Sequence, residues 1–129
     1  MERKQEIRAS RSCHARILAT GRPGDPIGVR VHGSLIGPKA HTEARKAIEL
    51  VQDAAGPGAV PIIDLTGLER ADRMGLATVA LAIVLHLQRG GHVRVFASSE
   101  ISAGLLGLLP RKCRMLDENG PLGCSSISF

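Results

Sequence analysis

Two aspartates are the side chains best placed to do chemistry in this 129-residue sequence. Asp64 ends an apolar run and Asp72 opens the next helical pattern, so their carboxylates could share a Mg²⁺ ion at the carboxyl edge of a sheet. We favour a structural interpretation, in which Asp64 accepts backbone hydrogen bonds at a strand end and Asp72 caps a helix. His86, near the end of that helix, is a candidate general base, although a histidine there more often caps helix carbonyls.

No other pattern predicts catalysis, a metal or a cofactor. The sequence contains no phosphate-binding Gly-x-x-x-x-Gly-Lys-Ser/Thr, no Gly-x-Gly-x-x-Gly opening a helix and no Gly-x-Ser-x-Gly. Its three cysteines lack the Cys-x-x-Cys spacing of a zinc site, and their odd number argues against a disulfide framework. The segment Asp117-Glu118-Asn119-Gly120 lacks the later ligands of a calcium loop, so it predicts a turn. We therefore expect a protein that is not an enzyme and binds no metal or cofactor.

The positive charge is concentrated at the beginning of the chain. Lys and Arg number 17 against 12 Asp and Glu, for a net charge of +5, but residues 1–22 alone hold six bases and two acids. The only aromatic residues are Phe96 and Phe129, which leaves little material for stacking single-stranded bases. We therefore expect a basic N-terminal arm at residues 1–12 and no nucleic-acid partner.

The longest uncharged stretch, residues 74–88, predicts a buried helix. It is shorter than the roughly 20 residues that a helix needs to span a bilayer, so we expect no membrane insertion. The charged N-terminus lacks the apolar centre of a secretory signal, which favours a cytoplasmic protein. Length and a hydrophobic content of 43% fit one globular domain.

Alternating strand and helix patterns predict an α/β fold. The expected strands are residues 15–19, 27–32, 59–65 and 92–97, with a weaker one near 113–116, and the expected helices are 38–55, 73–89 and 101–109. The first two strands should form a hairpin, and the strand–helix–strand steps after it predict a mainly parallel sheet. The domain is expected at residues 13–117, followed by a C-terminal tail at 118–129.

Residues 62–76 read I-I-D-L-T-G-L-E-R-A-D-R-M-G-L and resemble the signature of STAS domains. This family includes bacterial anti-sigma factor antagonists and the cytoplasmic domains of sulfate transporters. The similarity continues through Arg-Gly-Gly at 89–91 and Gly-Leu-Leu-Gly-Leu-Leu at 104–109, and residues 31–35 stand where members often carry Gly-Glu-Leu-Asp. The resemblance implies a mixed sheet of four to five strands, mainly parallel after an N-terminal hairpin, with helices packed chiefly on one face.

The resemblance also implies a phosphorylation switch, from which this sequence departs. In regulated antagonists a partner kinase phosphorylates the second hydroxyl residue of Asp-Ser-Ser-Gly, and the complex is released. The matching residues here are Asp72, Arg73, Met74 and Gly75. The phosphorylated position therefore holds Met74, which has no hydroxyl, and whether Thr66 or Thr78 replaces it stays open. Met74 either fills a gap beneath the loop or is an exposed apolar contact for a partner.

The function that the resemblance implies is protein binding in bacterial signal transduction. The chain would be an anti-sigma factor antagonist, locked in its unphosphorylated state, whose partner is an anti-sigma factor with serine kinase activity. The expected partner-binding residues are Gly33, Ser34, Asp72, Arg73, Met74, Gly75 and Leu76. Two alternatives are an accessory subunit docked on the ATPase of an ABC-type lipid transporter and a component of a stress-signalling scaffold. A homodimer, a bound nucleotide and a bound lipid stay open.

Overall fold

A mixed sheet with three helices makes up the described part of the chain. The computed structural model describes residues 13–18, 28–56, 58–110, 116–119 and 124–129, with the backbone alone at 116–119 and 124–126. The strands are β1 His14–Leu18, β2 Gly28–Leu35, β3 Ile62–Asp64, β4 Leu68–Ala71, β5 Arg94–Ser98, β6 Leu116–Asn119 and β7 Cys124–Ser128. The helices are α1 Pro38–Ala54, α2 Arg73–Gln88 and α3 Ser99–Leu108. The expected basic arm, residues 1–12, lies outside the described residues.

Six strands lie in the order β1-β2-β3-β5-β7-β6, and β4 pairs with β2. Strand β1 is antiparallel to β2. Strand β3 lies between β2 and β5 and is parallel to both. Strand β7 is antiparallel to both β5 and β6. The α/β class and the antiparallel pairing of the first two strands are therefore confirmed. The sheet has more strands than the four to five expected, and β7 and β6 extend it beyond β5 with antiparallel pairing.

Strand β2 continues past Gly33, where the sequence predicted a break. Gly33 has a φ of 92°, a region that glycine adopts without steric cost, and its N–H donates to the carbonyl of Gly67 at 3.1 Å. The β2–β4 register shifts between Gly33 and Ser34, so the glycine makes an irregularity within the strand rather than an end. Strand β4 occupies what the sequence predicted to be a link, because β3 pairs only with the first half of β2 and β4 takes the second half.

The C-terminal segment, expected as a turn and a tail, contributes two strands. Residues 117–119 belong to β6, which corrects the predicted turn there, and β7 inserts between β5 and β6. Ile127 and Phe129 are buried in the core. Phe129 and Val93 also exchange backbone hydrogen bonds of 2.9 and 3.3 Å. The end of the described chain is therefore part of the domain's sheet and core.

The helices pack on one face of the sheet, which we call the inner face. Along β2, Val29, Val31 and Leu35 are fully buried and alternate with the more exposed Arg30 and His32. Helix α2 contacts α1 on one side and α3 on the other. We call the opposite side of the sheet, which no helix of the described chain covers, the outer face. None of the helices in the described part of the chain combines the length and apolar content that crossing a bilayer requires.

Candidate functional site

Asp72 joins the beginning of α2 to the loop that precedes α1. Its backbone is extended, and its Oδ1 accepts a hydrogen bond of 2.6 Å from the N–H of Gly75, which confirms the predicted helix cap. Its Oδ2 accepts a second bond, of 3.0 Å, from the N–H of Gly37. The backbone N–H of Asp72 donates to the carbonyl of Leu35 at 3.1 Å. One residue therefore fixes the end of β2, the following loop and the first turn of α2 together.

His41 supplies a third donor to the Asp72 carboxylate. Its Nε2 lies 2.7 Å from Oδ1, and because a carboxylate only accepts, the imidazole donates from Nε2. The N–H of Gly37 is the main cause of a lowered pKa for Asp72; partial burial opposes it, and Gly75 and His41 reinforce it. Asp72 is therefore anionic near neutral pH. With each oxygen already bonded to a backbone N–H, the carboxylate acts as a cap and crosslink.

Gly75 allows α2 to approach the end of β2. A Cβ at position 75 would lie 2.6 Å from the carbonyl oxygen of Leu35 and 2.9 Å from Oδ1 of Asp72. Gly37 takes a φ of 90° directly before α1, which favours glycine there as well. The glycine of the Asp-x-x-Gly segment is therefore explained by close packing in this fold.

The expected partner-binding residues do not share one surface. Gly33 is buried within β2, and Ser34 pairs in register with β4 at an outer-face position. Leu76 is half-buried and packs against the core beside Gly104 of α3. Gly75 is buried beneath the loop. Of the seven, Arg73 and Met74 are the residues whose side chains stand exposed at the start of α2.

Helix α2 exposes an uncharged apolar face, which the sequence did not predict. Met74, Leu81 and Leu85 are 64%, 56% and 41% exposed, and their spacing of seven and four residues places them on one side of the helix. Ile36, also exposed, lies in the chain between Leu35 and Gly37, both of which hydrogen-bond Asp72, so it adjoins the start of this face. We call these four residues the α2 stripe. Met74 is therefore exposed and does not fill a gap beneath the loop.

The two threonines nearest to Met74 both use their hydroxyls within the structure. Thr66 Oγ1 donates to Asp64 Oδ1 at 2.6 Å, and Thr78 Oγ1 donates to the carbonyl of Met74 at 2.8 Å. Asp64 also accepts from the N–H of Thr66 and from Nε of Arg30. Burial works to raise the pKa of Asp64, but these hydrogen bonds outweigh it, so the pKa is lowered. Asp64 and Asp72 thus each have a separate set of donors.

His86 lies at the other end of α2 from Asp72. The two are 14 positions apart along the helix, a rise of roughly 21 Å, so they do not belong to one site. His86 lines an open cleft of about 420 Å³ with Gln52, Arg89 and His92. Within the described ranges, no three His, Cys, Asp or Glu side chains are grouped so that they could hold a metal ion.

No protein-family model matches the chain, and no curated protein is significantly similar to it.

Proposed function

We propose that this protein is a non-enzymatic regulatory domain that binds a partner protein through the α2 stripe, as STAS-type anti-sigma factor antagonists do. The observation that carries the proposal is the exposed, uncharged stripe on a helix that contains no charged residue between Arg73 and Arg89. Exposed apolar side chains grouped on one side of a helix often mark a surface that binds another protein. The STAS-like sequence at residues 62–76 supports the same function, since it opens this helix.

The beginning of the stripe is held in place before any partner arrives. Asp72 bonds Gly37 on one side and Gly75 on the other, and His41 adds a contact from α1. A surface that is already ordered loses less conformational entropy on binding. Met74 then adds a flexible, polarisable side chain that can adapt to an apolar pocket of the partner.

The partner in this proposal is an anti-sigma factor with serine kinase activity, acting in the cytoplasm. A phosphate on residue 74 would add nearly two negative charges to an apolar docking surface. The cost of removing water from these charges would weaken binding of the partner. Met74 cannot accept a phosphate, and the hydroxyls of Thr66 and Thr78 already donate to other groups. In this proposal the complex is constitutive, because it lacks the phosphorylation switch at residue 74.

A kinase assay with a restored hydroxyl tests the proposal. The kinase and ATP are incubated with the natural chain, with Met74→Ser and with Met74→Ala, and phosphorylation is mapped by mass spectrometry. We expect the natural chain and Met74→Ala to stay unmodified over residues 66–78 and Met74→Ser to gain one phosphoryl group. We also expect the natural chain to stay bound to the kinase in ATP, while Met74→Ser is released. Phosphorylation of the natural chain at Thr66 or Thr78 would overturn the constitutive complex.

The identity of the partner is tested separately by site-specific crosslinking. A photo-reactive amino acid replaces Met74 or, as a control on exposed α1 surface, Arg45. We expect crosslinks from position 74 to an anti-sigma kinase and none from position 45. Crosslinks from position 74 to a transporter ATPase would contradict the anti-sigma assignment, as would a very large homogeneous assembly detected by light scattering.

A further inference from the structure

Two histidines from different parts of the sequence meet on the outer face of the sheet. His14 of β1 and His32 of β2 are partners in the antiparallel register. The centroids of their imidazole rings are 5.4 Å apart, and the ring planes are inclined by 32°. Val31, the neighbour of His32 along β2, is fully buried on the inner face, which places the pair on the side that no helix of the described chain covers.

The two rings face each other rather than another polar group of the described fold. The rings of His41 and His92 each hydrogen-bond to an oxygen of the fold, whereas the described residues give His14 and His32 a ring contact with each other. His14 is exposed and His32 is partly buried, so water reaches the pair. A neutral imidazole keeps a lone pair on one nitrogen, which is the form that binds metal ions.

Gly67 limits the space around His32. A Cβ at position 67 would lie 2.7 Å from the Cβ of His32, so the backbone that follows β3 passes directly beside this side chain. The N–H of Gly33 donates to the carbonyl of Gly67 at 3.1 Å and holds that backbone in place. A side chain that is already confined loses less conformational entropy when it binds a ligand.

We propose that His14 and His32 form a two-histidine site for a divalent transition-metal ion, and that Zn²⁺ is the ion that fits the ring spacing best. Imidazole nitrogen binds Zn²⁺ at about 2.0–2.1 Å, which places the ion about 3.2 Å from the ring centroid. Two rings 5.4 Å apart, each with a nitrogen turned toward a shared ion, then subtend roughly 115° at that ion. This angle is close to the tetrahedral angle that Zn²⁺ adopts, whereas square-planar Cu²⁺ needs about 90° and therefore closer rings.

A pair of histidines is a smaller ligand set than the groups of three that the described ranges lack. Water then completes the coordination of Zn²⁺, so we expect weaker binding than in a structural site with four protein ligands. Arg16 and Arg30 pair in the neighbouring row of the same face and oppose a cation, although Arg30 is bonded to Asp64. The bound ion joins β1, which ends the described strand order, to β2, so its effect is to stabilise that side of the sheet.

Isothermal titration calorimetry of Zn²⁺ into the chelator-treated full chain tests the proposal. Loss of a residue that only orients a metal ligand weakens binding by roughly 10- to 100-fold, so His14→Gln and His32→Gln should each cost at least about 10-fold. In nuclear magnetic resonance spectra, Zn²⁺ should shift the imidazole signals of these two histidines before those of the other three. Mg²⁺ should shift none of them, because it prefers oxygen ligands.

Two control variants separate this site from other metal ligands. His86→Gln removes an imidazole from the helical layer and should leave the Zn²⁺ affinity within about twofold of the natural chain. Cys13→Ser removes a thiol that is next to His14 in the chain but packs against the core, so it should also leave the affinity unchanged. Circular dichroism of the metal-free variants checks that each of them folds.

Zn²⁺ should also raise the thermal unfolding midpoint of the natural chain and of both controls, because the ion binds the folded state. The rise should be smaller or absent in His14→Gln and His32→Gln. Unchanged Zn²⁺ affinity in either of these two variants would overturn the proposal. A loss of affinity in Cys13→Ser or His86→Gln as large as in the two ligand variants would overturn it as well.

Discussion

The imidazole Nε2 of His41 lies 2.7 Å from Oδ1 of Asp72, although the two residues are 31 positions apart in the sequence. This contact joins the first turn of α1 to the cap of α2 across the loop at Gly37. The side chain of His41 is 16% exposed and that of Asp72 is 35% exposed, so the pair is only partly accessible to water. The site is thus organised around a carboxylate that links two helices, and its chemistry is that of a structural anchor for the stripe beside it.

Replacing Asp72 should loosen the start of α2 before it affects the rest of the core. Asp72→Ala removes the acceptors for Gly37, Gly75 and His41, whereas Asp72→Asn retains one oxygen that can still cap the helix. We expect thermal unfolding midpoints in the order natural chain, Asp72→Asn, Asp72→Ala, measured by circular dichroism. Hydrogen exchange should show the loss first in residues 73–78. Equal midpoints for all three chains would contradict the anchoring role.

Acid should weaken the fold through Asp64 and Asp72. Both carboxyls have a pKa lowered by folding, so the stability they contribute is present above the unfolded-chain pKa of about 3.9 and is lost as the pH falls through the lower folded pKa. Urea unfolding between about pH 7 and pH 2.5 should therefore show a fall in stability below about pH 4. The variant Asp64→Asn/Asp72→Asn should be less stable near neutral pH. Its free energy of unfolding should also change less with pH across this range. A double variant with the same acid slope as the natural chain would refute this assignment.

Local sequence was sufficient to predict the Asp72 cap, because the aspartate directly precedes an apolar helical run. It could not reveal His41, since no local pattern connects a histidine in α1 with a carboxylate at the start of α2. Strand β7 was hidden because Cys-Ser-Ser-Ile-Ser contains one large aliphatic residue, and its burial depends on pairing with β5. His14 and His32 likewise become neighbours only through the register of β1 and β2.

The α2 stripe was missed for a different reason. Helix α2 is apolar on all sides, so the sequence has no periodicity that distinguishes its buried face from its exposed one. The structure makes that distinction through the neighbours of the helix, since both α1 and α3 pack against it. Because the helix is apolar on all sides, the sequence predicted that it is buried. In the structure one side of the helix stays exposed, and Leu81 and Leu85 lie on that side.

Two glycines in helices should respond to alanine in opposite directions. Gly75→Ala places a Cβ 2.6 Å from the backbone oxygen of Leu35, so α2 must shift, and we expect a loss of about 1–3 kcal/mol in the free energy of unfolding. Gly107 in α3 has open space where a Cβ would lie, and Gly107→Ala should gain up to about 1 kcal/mol from helix propensity. Chemical denaturation of the two variants measures both values. Destabilisation by Gly107→Ala comparable to that by Gly75→Ala would show that close packing at Leu35 is not the cause.

Alanine substitutions at Leu81 and Ile83, two residues apart on α2, should distinguish an effect on partner binding from an effect on stability. Ile83 is fully buried, so Ile83→Ala should cost about 2–5 kcal/mol of unfolding free energy through lost burial and the cavity it leaves. Leu81 is 56% exposed, so Leu81→Ala should change stability by at most about 0.5 kcal/mol. If the stripe binds the partner, Leu81→Ala should nevertheless weaken the complex by about 1 kcal/mol or more, measured by calorimetry. Unchanged affinity for Leu81→Ala, Leu85→Ala and Met74→Ala alike would remove the stripe from the interface.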